Sequence, residues 1–474
     1  LRLIMKFGGT SVADADRVTR VARIVAERAE GDSVVVVVSA LGSVTDRLLE
    51  ALERARNGDE AFIHDFTRKL AEEHLAVARG AVRGEAAKEV KQTVEGLVGE
   101  LERALIGVIY LGEVTARSRD YVLSFGERLS APILWGALRG LGLKAQCLTG
   151  GEAGIVTDSN FGEARPLLEE TGRLVRERVG PLLEEGVTAV VTGFIAATGE
   201  GVTTTLGRGG SDYTATLLGA ALRADEVWIW TDVDGLMTTD PRILPSARTI
   251  PRLSFAEATE MAVLGAKAMH PRALEPAMGE GIPVRIRNTF RPESPGTLIV
   301  REQAVEPGNV VKAVTLVSDV ALVTVGGAGM VGTPGTAARV FDVLGRAGIN
   351  ILMISQSVSE ASISLVIRRP RLEEAVTALK ESPLTGDVIR EVTAERDVCI
   401  LAAVGAGMRG TPGVAARVFG AVARRGINVR MIAQGSSELN ISLVVGEAEG
   451  PEAVRALHEE FGLSGPSLAA KRRR

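Results

Sequence analysis

Cysteine is nearly absent. The 474 residues hold two, Cys147 and Cys399, far apart and without a CxxC spacing, so neither a disulfide framework nor a zinc site is indicated and each reads as a small buried hydrophobe. Histidine is scarce at four, and aromatic residues make up 4%. Charge is close to balance at -4, which supplies no basic field for nucleic acid, and the closing Lys471 to Arg474 run reads as a solvated tail. No apolar run reaches the roughly 18 residues of a membrane span, and the opening LRLIMKFGG lacks a signal peptide's n-region and cleavage site. No nucleic acid or membrane partner is therefore expected, and the chain reads as cytoplasmic. Its first residue is Leu1, which reads either as a start at Met5 or as a non-AUG start codon at Leu1, a choice the sequence leaves open.

What is plentiful is glycine, 54 residues, with 46% apolar and 24% charged residues, the make-up of a soluble globular chain with many tight turns. Length suggests two to four domains. Over the first 300 residues β-rich runs alternate with helical patterns: LRLIMKF, a helix at Ala13 to Ala29, then Val34 to Ala40, and later Leu143 to Leu148, Val187 to Gly193, Glu226 to Thr231 and Pro283 to Arg287. This rhythm predicts an α/β fold, a mostly parallel sheet sandwiched by helices. An Ala, Glu, Lys, Arg and Leu-rich stretch over 46–108 reads as a helical excursion, with His64 and His74 at solvated positions. The first domain is expected to span 1–305, closing soon after Thr297 to Val300.

An internal repeat follows. VALVTVGGAGMVGTPGTAARVFDVLGRAGINILMISQSVSEASISLVI, from Val320, matches VCILAAVGAGMRGTPGVAARVFGAVARRGINVRMIAQGSSELNISLVV, from Val398, at a constant offset. Each copy reads strand, Gly-Pro loop, helix, Gly-Ile-Asn turn, strand, polar loop, strand, a small α+β unit; the two regions are placed at 306–390 and 391–474. Both copies contain G-x-G-x-x-G, at Gly327 to Gly332 and Gly405 to Gly410, yet about 20 positions on, where a ribose-binding acid belongs, stand Asn350 and Asn428. The copies are also too short for two dinucleotide domains, so the fingerprint is set aside.

Five motifs carry chemistry. KFGGTS, Lys6 to Ser11, falls where the first strand gives way to a helix; its glycines let backbone N–H groups approach an anion and Lys6 adds a charge. It is not a Walker loop. TTLGRGGSD, Thr204 to Asp212, sets Arg208 in a glycine loop before a helix for which Ser211 and Asp212 are candidate N-caps; a guanidinium there can grip a carboxylate with two hydrogen bonds. SFGERLS, Ser124 to Ser130, offers Glu127 to an ammonium group, which with Arg208 would recognise a zwitterion. WTDVDGLMTTDPR, Trp230 to Arg242, suits a nucleotide or metal loop but equally a plain turn. LGAKAMHP, Leu264 to Pro271, adds Lys267, while His270 is assigned no chemistry.

In this order, and followed by a tandem repeat, the five motifs resemble aspartate kinase of the amino-acid kinase superfamily, with the repeats similar to paired ACT domains. The resemblance covers nearly the whole chain. It implies ATP and Mg2+ as cofactors, with no dedicated protein metal site. Lys6, Gly8, Gly9, Ser11 and Lys267 would meet the phosphates, with Thr231, Asp232, Met237 and Arg242 around the nucleotide. Several relatives carry a tyrosine where Met237 stands, which leaves the adenine contact open. Ser39, Thr45, Glu127, Phe194, Arg208, Gly209 and Ser211 would surround L-aspartate, with Lys6, Asp212 and Lys267 as catalytic groups. Met330, Gly335, Asn350, Ile351, Gln356, Asn428 and Gln434 would bind an effector in a homo-oligomer. Leu352, where lysine-sensitive relatives carry an acid, and Gln356 and Gln434 favour threonine over lysine. The competing readings are a superfamily kinase acting on another small acceptor and a non-catalytic amino-acid sensor. The sequence closes soon after the second repeat, so a fused homoserine dehydrogenase is not expected.

Overall fold

The computed structural model describes residues 1–264, 269–302, 310–386 and 388–464. They form two compact units. The first comprises Leu1–Leu236, Pro251–Phe255 and Lys267–Gln303; the second comprises Met237–Ile250, Ala256–Ala266 and Ala304–Arg474. The division is thus not a single point along the chain: two stretches from within the predicted first domain belong to the second unit.

In the first unit, β1 (Arg2–Phe7) leads through a 3-10 turn at Gly9–Val12 into α1 (Ala15–Ala29), which Asp14 caps by accepting from Arg17 N. The helix begins two residues later than predicted because Asp14 stands in extended geometry as its N-cap. β2 (Ser33–Val38) follows, then α2 (Val44–Arg56), α3 (Glu60–Ala81), α4 (Ala86–Leu111), α5 (Ala116–Leu123) and α6 (Phe125–Gly140). The helical excursion is therefore present. His74 corrects the reading of a solvated position: it is buried, its Nδ1 lies 2.8 Å from Leu70 O, and burial lowers its pKa. It sits on the stripe Ile63, Phe66, Leu70, Ala78 that packs into the core.

Next come β3 (Ala145–Leu148), β4 (Val156–Thr157), α7 (Leu168–Arg178), α8 (Gly180–Glu184), β5 (Thr188–Thr192), β6 (Ile195–Thr198), β7 (Thr203–Thr205), α9 (Gly210–Leu222) and β8 (Glu226–Thr231). After β9 (Arg252–Ser254) the chain passes through α10 (Phe255–Val263), which from Ala256 on belongs to the second unit, and the first unit closes with α11 (Glu275–Glu280), β10 (Val284–Asn288) and β11 (Thr297–Val300). The main sheet runs β3-β5-β2-β1-β8-β10-β11-β9. All its pairs are parallel except β10 with β11. β1 and β2 are buried almost throughout, as apolar runs of a sheet covered on both faces should be. From β1 the chain order departs in both directions, to β2 on one side and β8 on the other. Such a switch point opens a crevice at the carboxyl ends of the strands, where Lys6 and the residues after β2 stand. β4, β6 and β7 form a separate small sheet.

The second unit holds β12 (Ala313–Gly326), α12 (Thr336–Arg346), β13 (Ile351–Gln356), β14 (Ser362–Arg368), α13 (Leu372–Lys380), β15 (Glu391–Val404), α14 (Val414–Arg424), β16 (Met431–Ala433), β17 (Asn440–Gly446) and α15 (Gly450–Glu460). The repeat's predicted order of elements is seen twice. One antiparallel sheet, β13-β14-β12-β15-β17-β16, joins the copies. Its two long strands each serve both cores: Val314 of β12 packs with the second copy, while Val392 of β15 packs with the first. Lys312 and Glu257 of α10 form a buried ion pair at 2.9 Å, and Glu257 also accepts from Ala406 N at 2.7 Å. Thr238 O accepts from Val314 N, and its hydroxyl lies 2.9 Å from His458 Nε2. These contacts hold the stretches 237–250 and 256–264 in this unit. Among the described residues no helix is long and apolar enough to cross a membrane.

Candidate active site

A cavity of about 950 Å3 lies at the carboxyl edge of the main sheet. Lys6, at the end of β1, reaches its floor and pairs with Asp212 of α9 at 2.6 Å; each side chain is about a tenth exposed. A methyl group added at Gly8 would stand 3.6 Å from Lys6 Nζ, and one at Gly9 would meet Ala40 O at 2.9 Å and Gly42 O at 3.0 Å. Gly8 therefore keeps space open beside the ammonium group, while Gly9 lets two turns close on each other. The space beside Lys6 fits a phosphate oxygen. Ser11 points elsewhere, its hydroxyl 2.7 Å from that of Thr289.

Opposite stands Glu127, in the first turn of α6 and 3% exposed. Its helix can approach the loop after β2 because residue 126 is glycine: a Cβ there would lie 2.8 Å from that of Ala40. Glu127 Oε1 accepts from Ala40 N at 3.2 Å, while Oε2 has no partner among the described residues. Burial pushes this carboxyl up to about 8, against the opposing pull of the Ala40 N–H and the Lys6 charge. A buried acid with one free oxygen is poised to receive a donor, above all a cationic one.

Arg208 is exposed and lines the same cavity, with no ion pair among the described residues. The loop around it is left-handed at Gly207 (φ 74°) and Gly209 (φ 70°), a conformation that L side chains resist. A Cβ on Gly209 would fall 2.5 Å from that of His270, so the histidine given no chemical role forms the wall behind this loop. Ser211 and Asp212 are not the caps predicted for α9. The N-cap is Gly209 in left-handed geometry and the helix starts at Gly210, which puts both residues in the first turn and frees Asp212 to hold Lys6. Phe194 sits at φ 65° with its N–H on Thr214 Oγ1 at 3.0 Å, a strained non-glycine backbone beside the cavity. Ser39 and Thr45 complete the predicted wall.

Ten of the predicted residues are thus gathered: Lys6, Gly9, Ser39, Thr45, Glu127, Phe194, Arg208, Gly209, Ser211 and Asp212 all line one cavity. Others are not gathered there. Thr231 ends β8 and Asp232 follows it, with their side chains 3.2 Å apart. Met237 and Arg242 belong to the second unit, where the Arg242 guanidinium is tied to Asp240 at 2.6 Å. Lys267 lies outside the described residues. Of the effector set, Met330 is buried in the first repeat's core, whereas Gly335, Asn350, Gln356, Asn428 and Gln434 are exposed and Ile351 is half-buried. Sequence reasoning missed Arg119, Asp120 and the Asn160 to Glu163 wall. Among the described residues no cluster of acids, histidines or cysteines could hold a metal ion by itself.

Fold and cavity define a class: the model of the amino acid kinase family matches residues 1–288, and that of the ACT domain matches 323–382 and 401–461. Within that class the chain belongs to the aspartokinase family. It is 34% identical to aspartokinase 1 of Arabidopsis thaliana over 98% of this chain and 80% of that one, and 36% identical to aspartokinase 3 of the same plant over 97% and 82%. It is also 35% identical to the bifunctional aspartokinase/homoserine dehydrogenase 1 of Zea mays, over 98% of this chain. Of such bifunctional relatives the chain spans about half the length, 51%. Among solved structures it is similar to E. coli aspartokinase III in complex with aspartate and ADP, with a TM-score of 0.78 and 31% identity over 97% of this chain and 99% of that one. The same protein in complex with lysine and aspartate gives 0.79 and 30% over the same shares.

Proposed function

We propose that the protein transfers the γ-phosphoryl group of ATP to the side-chain carboxylate of L-aspartate, giving 4-phospho-L-aspartate, the first step towards lysine, threonine and methionine. One observation carries this reading: Glu127, a buried carboxylate with one oxygen free among the described residues, and the guanidinium of Arg208, which has no ion pair among them, face one cavity above a lysine. An amino acid with two carboxylates satisfies all three. Its ammonium group meets Glu127, one carboxylate meets Arg208, and the other is left towards Lys6. The acceptor carboxylate is already ionised near neutral pH, with an ordinary pKa of about 3.9, so no general base is required. Lys6 offsets the charge that builds on the transferring group, and Asp212 keeps its ammonium group in place. Lys267, Gly8, Gly9, Thr231, Asp232, Met237 and Arg242 are assigned to the nucleotide, and Mg2+ would supply charge neutralisation at its phosphates. The acceptor is tested by trapping acyl phosphate as hydroxamate with ATP and a panel of acceptors. Product with aspartate and not with glutamate, acetylglutamate or nucleoside monophosphates is expected; preference for another acceptor would overturn the assignment.

The ACT pair is assigned to feedback control, with a small amino acid bound near the Gly-Ile-Asn turns in a homo-oligomer. Leu352, half-buried on β13, offers no charge to a lysine ammonium group, whereas the amides of Gln356 and Gln434 suit a neutral hydroxyl side chain. Threonine is therefore favoured over lysine. A cytoplasmic location belongs to the same proposal.

A further inference from the structure

Asp120 lines the same cavity and is completely buried, yet it belongs to none of the five motifs. Its carboxylate takes three hydrogen bonds. Oδ2 accepts from Gly162 N at 2.9 Å and Thr205 N at 3.0 Å, and Oδ1 accepts from Thr205 Oγ1 at 2.7 Å. A buried carboxylate with such a set of donors is a rigid tie, because losing it would leave every donor unpaired. Burial raises its pKa while the three donors oppose that rise.

What is tied matters more than the tie. Asp120 belongs to α5, whose chain continues into α6 and Glu127. Thr205 ends β7 and stands three residues before Arg208. Gly162 belongs to the wall Asn160 to Glu163, and that wall lies directly against the turn that carries Arg208: a Cβ on Gly207 would be 3.5 Å from Glu163 Cγ and 3.6 Å from Gly162 O. Ala164 N donates to Thr205 O at 3.1 Å, closing the ring. One side chain therefore joins the segment bearing Glu127 to both segments that set the position of Arg208, which itself has no ion pair among the described residues.

We infer that Asp120 is a positioning residue for the acceptor site: it fixes the separation of Arg208 from Glu127 and so the length of the zwitterion that bridges them. This rests on the reading of the cavity as the acceptor site. The role is geometric and does not need the negative charge. An asparagine at 120 can offer its carbonyl oxygen to both N–H groups and its amide to Thr205 Oγ1, which then accepts where it had donated.

The experiment compares Asp120→Ala and Asp120→Asn with Thr205→Val and Thr205→Ser, reading the KM for aspartate, the KM for ATP and amide hydrogen exchange over 158–164 and 203–209. Asp120→Ala should raise the aspartate KM about tenfold or more with the ATP KM within about twofold, and should speed exchange in both segments together. Asp120→Asn should restore the aspartate KM to within about threefold of the original. Thr205→Val should show the same split at about three- to tenfold while Thr205→Ser does not, which keeps the question decidable if Asp120→Ala fails to fold. Asparagine as harmful as alanine, equal loss for both substrates, or unchanged exchange in the two segments would overturn the inference. If the unaltered protein phosphorylates some other acceptor, the aspartate reading fails, and the split is read on that acceptor. If it phosphorylates none, exchange alone decides.

Discussion

Aspartate binding should expel a proton from the protein. Glu127 is buried, its Oε2 has no partner among the described residues, and burial pushes its carboxyl up to about 8 from an ordinary 4.5. At pH 7, one unit below that value, roughly nine molecules in ten carry the proton, and ionising the group costs about 1.4 kcal/mol. An ammonium group brought against the free oxygen reverses the preference, so binding and deprotonation are linked. Calorimetric titration of aspartate at pH 7 in two buffers of different ionisation enthalpy should report ~0.9 protons released per ligand. The release should fade above pH ~9, and apparent affinity should rise roughly tenfold between pH 6 and 7. Glu127→Gln should abolish the release. The stability of the ligand-free protein carries the opposite sign. With the folded pKa above the unfolded one, the contribution of Glu127 is whole below about 4.5 and is lost as pH rises through about 8. Thermal midpoints should therefore fall over that window, less so with aspartate bound. Identical heats after buffer correction, with no net proton exchange at pH 7, would refute the reasoning.

Lys6→Ala should lower kcat by ~10² or more while moving either KM little, because its charge acts chiefly on the transferring group; a near-normal kcat would leave it only the ion pair with Asp212. Arg208→Lys should raise the aspartate KM by the equivalent of ~2 to 4 kcal/mol, since one arm of the fork is lost, with little effect on ATP. Equal weakening of both substrates would remove Arg208 from the acceptor site. Titrating threonine and lysine against activity at subsaturating aspartate should show stronger inhibition by threonine; stronger inhibition by lysine would refute the argument from Leu352, and no response to either would leave the repeats unregulated. Glu257→Gln should destabilise the second unit by ~1 to 3 kcal/mol, because the charge-assisted hydrogen bond from the buried Lys312 is weakened, and an unchanged melting curve would contradict this.

Local pattern made much of the fold legible. The strand Glu226–Thr231 falls where the sequence puts it and Val284–Asn288 lies one residue from the expected Pro283 to Arg287, because short β-rich runs bounded by turn residues permit little else. The repeat likewise announced its own order of elements. The start of α9 was misread for a physical reason: serine and aspartate are strong caps, but a glycine able to turn left-handed two residues earlier took the position. His74 could have been placed by the spacing of its apolar neighbours on α3. The membership of 237–250 in the second unit could not, since it rests on contacts such as Thr238 with His458 that join residues far apart in the chain. Asp120 escaped for the same reason. Its meaning lies in Gly162 and Thr205, and no motif of its own segment points to either.

The central claim is that Glu127 and Arg208 grip the two ends of one acceptor molecule in the cavity above Lys6. An experimental structure with aspartate and ADP bound tests it most directly. The account predicts the aspartate ammonium group within hydrogen-bond distance of Glu127 Oε2, one carboxylate forked on the Arg208 guanidinium, and the other directed towards Lys6. Aspartate bound with Glu127 facing a carboxylate, or outside this cavity altogether, would contradict it.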